Sequence, residues 1–203
     1  MMKIEDLESQ FIDRIDPDTG EIKPMIYKLL QPDHPMVKTP MPEYVDSDTS
    51  DTSRKEIAES LVETMKHFGG IGLSANQVGL PYRVFVMGDN EHYINCFNPK
   101  IVVESENVVT IEEGCLTYPG LFVKIRRPDW IEVEFEDENG EKHSDTFEGL
   151  MCRVFQHEMD HMDGIDFTSR AKRMDLNIAK RKLKRGKLKL KRAHGKDMLA
   201  QAS

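Results

Sequence analysis

The chain has 203 residues, a formal net charge of −8, 38% hydrophobic and 32% charged residues. That length fits one domain with tails and is long enough to bury a core without disulfide or metal staples. No apolar run is long enough to cross a membrane, and aromatic and β-branched residues spread along most of the chain argue against wholesale disorder.

The charge is unevenly placed. Residues 170–203 carry 13 Lys/Arg and only two acids, Asp175 and Asp197, a net +11, which leaves −19 on residues 1–169. Polyanion partners are plausible for the tail alone. Cys96, Cys115 and Cys152 are too few for a disulfide framework and fit a reducing compartment. The first residues have no apolar stretch for a signal peptide and too many acids for a transit peptide. A cytoplasmic protein is expected, with an organellar or phage source left open.

In chain order, residues 1–23 read as a polar extension with a turn at Asp16–Gly20. Residues 24–45 hold five prolines and read as an extended segment against the core; 46–52 read as an exposed loop. Ser53 and Glu56 form a capping-box pattern, and Ile57, Leu61, Met65 and Phe68 follow at helical spacing before Gly69-Gly70 ends the helix. Strands are predicted at 82–88, 93–97 and 100–104, the last two separated by the breaker Asn98-Pro99. Residues 130–136 alternate Ile131, Val133 and Phe135 with Glu132, Glu134 and Glu136, and Asn139-Gly140 turns the chain into a strand at 142–147. A second helix is predicted over 150–162, stopping at Gly164. A basic helix is predicted over 170–192, with Leu176, Leu183 and Leu190 every seventh residue and Gly186 as a weak point. The expected fold class is α+β. Mixed or antiparallel strands pack around a central HExxH helix, with a C-terminal helix. The expected division is 1–23 extension, 24–169 catalytic domain and 170–203 basic helix or tail.

The sharpest chemical signal is His157-Glu158-Met159-Asp160-His161. Residues four apart share a helix face, so both imidazoles can reach one metal ion, and the adjacent Glu158 can take a proton from water beside it. The bland alternative is an amphipathic helix with two surface histidines. A catalytic site needs a third ligand. Where metzincins continue to a third His this chain has Phe167, and no Glu follows Glu158. Asp163, Asp166, Asp175 and Asp197 remain open but match no familiar spacing. Upstream, Cys115 sits in a turn-like Glu112-Glu113-Gly114-Cys115-Leu116-Thr117 between apolar strands, and a thiolate is a good soft ligand. Cys96 and Cys152 read as small buried hydrophobes. Residues 70–77, G-I-G-L-S-A-N-Q, lack the ending of a phosphate loop, but their glycines permit close backbone approach and Gln77 offers an amide donor.

Taken together, G-I-G-L-S-A-N-Q (70–77), E-G-C-L-T (113–117) and H-E-M-D-H (157–161) resemble the three motifs of the peptide deformylase family, in order, over about residues 24–185. The flanks Tyr118-Pro119-Gly120, Arg127-Pro128, Gln156 and Gly164 look similar as well. The departures are Ser74, where Ala is common, and Thr117, where Ser is common.

The resemblance implies a metal-dependent hydrolase that removes the formyl group from the formyl-methionine of newly made polypeptides. It implies Cys115, His157 and His161 as metal ligands, with Fe²⁺ as the physiological ion and Zn²⁺, Ni²⁺ or Co²⁺ as alternatives. Glu158 would be the general acid/base, and Gln77 with the Leu116 backbone N–H would stabilise the oxyanion. Ile71 and Gly72 would pair with the extended peptide, and Leu150, Val154 and Ile71 would line the methionine pocket beside His157. Arg153 and Glu113 are expected to pair and tie the metal-bearing segments together. Two other readings compete: a zinc endopeptidase, and a ribosome- or RNA-binding accessory protein acting through its basic tail.

Overall fold

The computed structural model describes residues 23–46, 53–89 and 91–200, with side chains as far as 188. The expectations for most of the N-terminal extension, for the 46–52 loop beyond Asp46 and for the Leu190 side chain lie outside the described residues. Among the described residues three α-helices and seven strands follow in the order α1 (Arg54–His67), β1 (Gly72–Ser74), β2 (Val84–Gly88), β3 (Tyr93–Glu104), β4 (Val108–Glu113), β5 (Val123–Pro128), β6 (Trp130–Glu136), β7 (Lys142–Glu148), α2 (Gly149–Met162) and α3 (Arg173–Ala200). They form an α+β fold. One sheet runs β1-β2-β3-β6-β7 and a second pairs β4 with β5, and every pairing is antiparallel.

Helix α1 starts where its cap predicts. The Glu56 amide donates to Ser53 Oγ at 3.2 Å and the Ser53 amide to Glu56 Oε2 at 2.8 Å, so two otherwise orphaned donors are satisfied. It ends in a Schellman turn: Gly69 N–H reaches Lys66 O at 3.0 Å and Gly70 N–H reaches Met65 O at 2.9 Å, with Gly69 at φ 67°. Ile57, Leu61 and Met65 are buried as expected, but Phe68 is 41% exposed because it caps the helix and has left the buried stripe.

The two helices α1 and α2 cover opposite faces of the large sheet. Val84 and Val86 of β2 pack in the cluster with Leu61 and Met65; Phe85 and Met87 pack in the cluster with Phe155 and Met159. A strand buried on both faces needs a continuous apolar run, which is why V-F-V-M does not alternate. The β6–β7 ribbon is covered on one face only, and there Ile131, Val133 and Phe135 are buried while Glu132 and Glu134 face out. Its turn is a three-residue loop: Asp137 N–H bonds Glu141 O at 2.9 Å, and Gly140 takes φ 80°.

Two local expectations are corrected. The strands at 93–97 and 100–104 are one strand, β3, with register shifts around Asn98-Pro99. Asn98 adopts φ 51°, and its side chain accepts from Tyr44 N at 2.7 Å and donates to Tyr44 O at 3.0 Å. These tertiary bonds hold a bulge, one of the few places in a strand where proline is tolerated. Gly186 does not interrupt α3, which continues to Ala200. The first half of α3 packs Leu176, Ala179 and Leu183 against Leu121, Val123 and Ile125 of the β5 layer. Cys96 and Cys152 are buried and free, as expected of small hydrophobes.

Candidate metal centre

Helix α2 lies between the two sheets and brings both histidines to one face, with ring centroids 5.2 Å apart. Cys115 follows β4 at the start of a tight loop, closed by Tyr118 N–H on Cys115 O at 2.9 Å. The loop packs so closely that a Cβ on Gly114 would meet the Phe122 ring at 2.7 Å. Cys115, His157 and His161 each present one donor atom, all within 4.8 Å of one another, and Cys115 Sγ lies 3.3 Å from His161 Nε2. Donors about 2.1 and 2.3 Å from a shared tetrahedral ion sit roughly 3.6 Å apart, so the three fit a divalent ion.

The histidine orientations support the same fit. His157 Nδ1 donates to Glu113 Oε2 at 3.0 Å, which fixes the tautomer and leaves Nε2 for a ligand. His161 Nδ1 is buried without a protein partner, so its ring is oriented through Nε2. Burial and the nearby His157 and Arg127 charges push His161 well below the usual imidazole range, keeping it neutral as a ligand must be. Burial disfavours the charged form of His157, but the Cys115 sulfur and Glu113 outweigh it and raise it to about 10. The same sulfur and carboxylate that favour a positive charge on His157 would favour a divalent cation beside it.

Glu113 is the hub behind the ligands. Arg127 grips it bidentately, Nε to Oε1 at 2.7 Å and Nη2 to Oε2 at 2.9 Å, and Arg153 Nη1 reaches Oε1 at 2.9 Å. The expected Arg153–Glu113 pair is therefore present. Burial works against a charged Glu113, but hydrogen bonds from His157 and Arg127 hold its carboxyl at about 2. Arg127 also meets Asp160 at 2.8 Å, and Asp160 takes Arg170 at 2.6 Å. Glu113→Gln would leave two cations, each 5% exposed, short of a counter-charge. Breaking such a pair costs roughly 3–5 kcal/mol, so the thermal midpoint should fall by roughly 10 °C. Metal affinity should fall about 10–100-fold. Thermal denaturation and metal titration check this; an unchanged midpoint would contradict it.

Segment 70–77 approaches α2 from the other side. Asn76 Nδ2 bonds His161 O at 2.7 Å and fastens the segment to the helix. Ser74 N–H holds Gln77 Oε1 at 2.9 Å, which turns Gln77 Nε2 toward Cys115 Sγ at 3.4 Å and Thr117 Oγ1 at 3.0 Å. Glu158 is 3% exposed and burial raises its carboxyl above the usual range, partly offset by His157 and by a hydrogen bond from Ser74. A cavity of about 710 Å³ opens over Cys115 and His157, with Glu158, Gln77, Leu116 and Val154 on its walls. Its rim is apolar and exposed at Ile71, Phe122 and Leu150.

Sequence comparison gives this arrangement a family. Residues 26–177 match the polypeptide deformylase family, about three quarters of the chain. The chain belongs to that family. A peptide deformylase from Rhizobium meliloti (strain 1021) is 37% identical over 160 residues, covering 75% of this chain and 88% of the relative. One from Thermotoga maritima is 41% identical over 127 residues, 61% of this chain and 77% of the relative. The crystal structure of the Thermotoga maritima peptide deformylase superposes with a TM-score of 0.68 at 33% identity, covering 72% of this chain and 98% of that one. The Synechococcus elongatus peptide deformylase, in complex with actinonin, gives 0.71 at 29% identity, over 83% and 91%. The chain is thus an enzyme, a metal-dependent hydrolase of the deformylase type.

Within this deformylase the predicted residues converge unevenly. Cys115, His157, Glu158, Gln77 and Leu116 line the cavity, and the His161 donor lies within 4.8 Å of those of Cys115 and His157. Leu150 stands at the rim, 62% exposed, while Val154 is a buried wall residue. Ile71 O accepts from Gly88 N at 2.9 Å, so strand alternation turns the Gly72 amide and carbonyl to the open edge of β1. Glycine is required there: a Cβ on Gly72 would lie 2.5 Å from Glu158 Oε1 and 2.8 Å from Val154 Cγ1. Sequence reading gave no role to Arg127, Asp160 or Arg170. Arg127 had a legible signal, since Val123, Ile125 and Arg127 share the buried face of β5.

Proposed function

We propose that Cys115, His157 and His161 hold one divalent ion, with Fe²⁺ as the physiological metal. Zn²⁺, Ni²⁺ or Co²⁺ would also suit this mixed thiolate–imidazole set, and the preference for iron rests on family resemblance. The observation that carries the reading is the cluster of three metal donors beside a cavity that a buried carboxylate and a side-chain amide also line. Bound there, the ion supplies a Lewis acid for the formyl carbonyl and lowers the pKa of a water molecule. Glu158 would take a proton from water as the water oxygen bonds the formyl carbon, and return it to the amine nitrogen as the C–N bond breaks and formate leaves. Its raised pKa suits both halves of the cycle. Gln77 Nε2 and the Leu116 N–H receive the negative charge that grows on the formyl oxygen.

The rest of the cavity recognises the peptide. The outward amide and carbonyl of Gly72 add the substrate backbone as a further strand beside β1, with Ile71 contributing its exposed side chain. Val154, Leu150 and the wall of His157 take the methionine side chain. Formate release from formyl-Met-Ala-Ser, without cleavage inside the unformylated peptide, tests this against the endopeptidase reading. Internal cleavage without formate would overturn it.

The partners are formylated nascent peptides, and a cytoplasmic setting, consistent with three free cysteines, is part of the proposal. Contact with ribosomal RNA through α3 is proposed from its outer face, where Lys180, Arg181, Lys182, Lys184, Arg185 and Lys187 are all exposed. Co-sedimentation with ribosomes should weaken steeply with salt and disappear when these six residues are replaced by Gln, which keeps Leu176, Ala179 and Leu183 in place. Equal co-sedimentation of both chains would remove the tail from the account.

A further inference from the structure

Ser74 stands where the resemblance leads one to expect alanine, and its place makes the hydroxyl consequential. It is fully buried at the end of β1, and its Oγ donates to Glu158 Oε2 at 2.6 Å. Oε1, the other oxygen of the carboxylate, faces the opposite way, toward Gly72 and the cavity wall, where any Cβ would strike it. The same residue's amide holds Gln77 Oε1 at 2.9 Å, so one position on β1 anchors both groups that face the scissile bond.

We propose that Ser74 is a positioning residue for the reaction: its hydroxyl pins Oε2 of Glu158 and leaves Oε1 as the oxygen that carries the proton from water to the leaving amine. This rests on the acid/base reading of Glu158. A carboxylate beside a cation can rotate and turn either oxygen, or both, toward it. Hydrogen bonds to charged groups are strong and directional enough to select one rotamer. Ser74 therefore keeps Glu158 out of the ligand set and aimed at the substrate edge of β1.

Ser74→Ala removes this bond. The backbone hold on Gln77 does not depend on the side chain, and alanine fits any space that serine fills. The measurement is single-turnover and steady-state formate release from formyl-Met-Ala-Ser, in the wild-type and Glu158→Gln backgrounds, with metal content and thermal midpoint measured on every protein. In the wild-type background kcat should fall roughly tenfold, with KM within about twofold. Metal content and midpoint should be nearly unchanged. In the Glu158→Gln background the same substitution should change the rate by less than about twofold, because the two residues act as one unit. An unchanged kcat, an equal loss in both backgrounds, or a loss that tracks metal release would each overturn the proposal. Should Glu158→Gln alone leave the rate intact, the acid/base reading fails instead, and the two failures are distinguishable.

Discussion

Glu158→Gln will keep its metal and lose nearly all of its turnover. The carboxylate is not among the three clustered donors, and one oxygen is held by Ser74, so the ligand set survives the change. Gln is nearly isosteric and can still accept the Ser74 hydroxyl bond. What it cannot do is take a proton from water and return it to the amine. General acid–base catalysis contributes roughly 10²–10⁴-fold, and Glu158 serves both steps, so kcat should drop by about 10³-fold with KM little changed. Formate-release kinetics on metal-analysed protein check this. A variant within tenfold of wild type would mean that another group moves the proton.

His161→Ala should have an effect of the same size by a different route, through the metal. Two ligands remain, and the nearby downstream acids Asp163 and Asp166 are engaged elsewhere. Asp163 pairs with Arg83 at 2.9 Å, and Asp166 accepts from Tyr118 and from the Thr168 amide at 2.8 Å. Catalytic divalent sites rely on three protein ligands, so bound metal should fall from about one ion per chain to below roughly a tenth, and formate release with it. The fold should hold, because α2 is anchored by Phe155 against Phe85 and Phe147 and by the Arg127–Glu113 network. Stoichiometric metal in a folded His161→Ala protein would remove His161 from the site.

The contrast between these residues and the ones sequence reading missed has a physical origin. Ser53 with Glu56, the alternation at 130–136 and the His157/His161 spacing are local patterns, written within one or two turns or strands. They were legible because the interaction partners are near in sequence. Cys115 stood out only as a candidate beside several downstream Asp residues, and its role, like that of Gln77, became legible through the family motifs. Most supports of the site were not legible: the Arg153–Glu113 pair, 40 positions apart, was anticipated, but Arg127 on Glu113 and Ser74 on Glu158, 84 positions apart, were missed. Such pairs carry no periodic signature, although the buried-face register of Arg127 on β5 hinted at one of them. Asn98-Pro99 shows the opposite error. A strong local breaker was overruled by two hydrogen bonds to Tyr44, which are invisible without the fold. Ser74 and Thr117 looked like neutral replacements, yet each touches a residue of the proposed chemistry.

The most direct test of the central claim is the metal content of the anaerobically purified protein, with formate release from formyl-Met-Ala-Ser measured on the same sample. About one divalent ion per chain is expected, iron foremost. Formate release should be lost on chelation and restored by adding the ion back. A metal-free chain that releases formate as fast as the loaded one, or a fully loaded chain that releases none, would contradict the account.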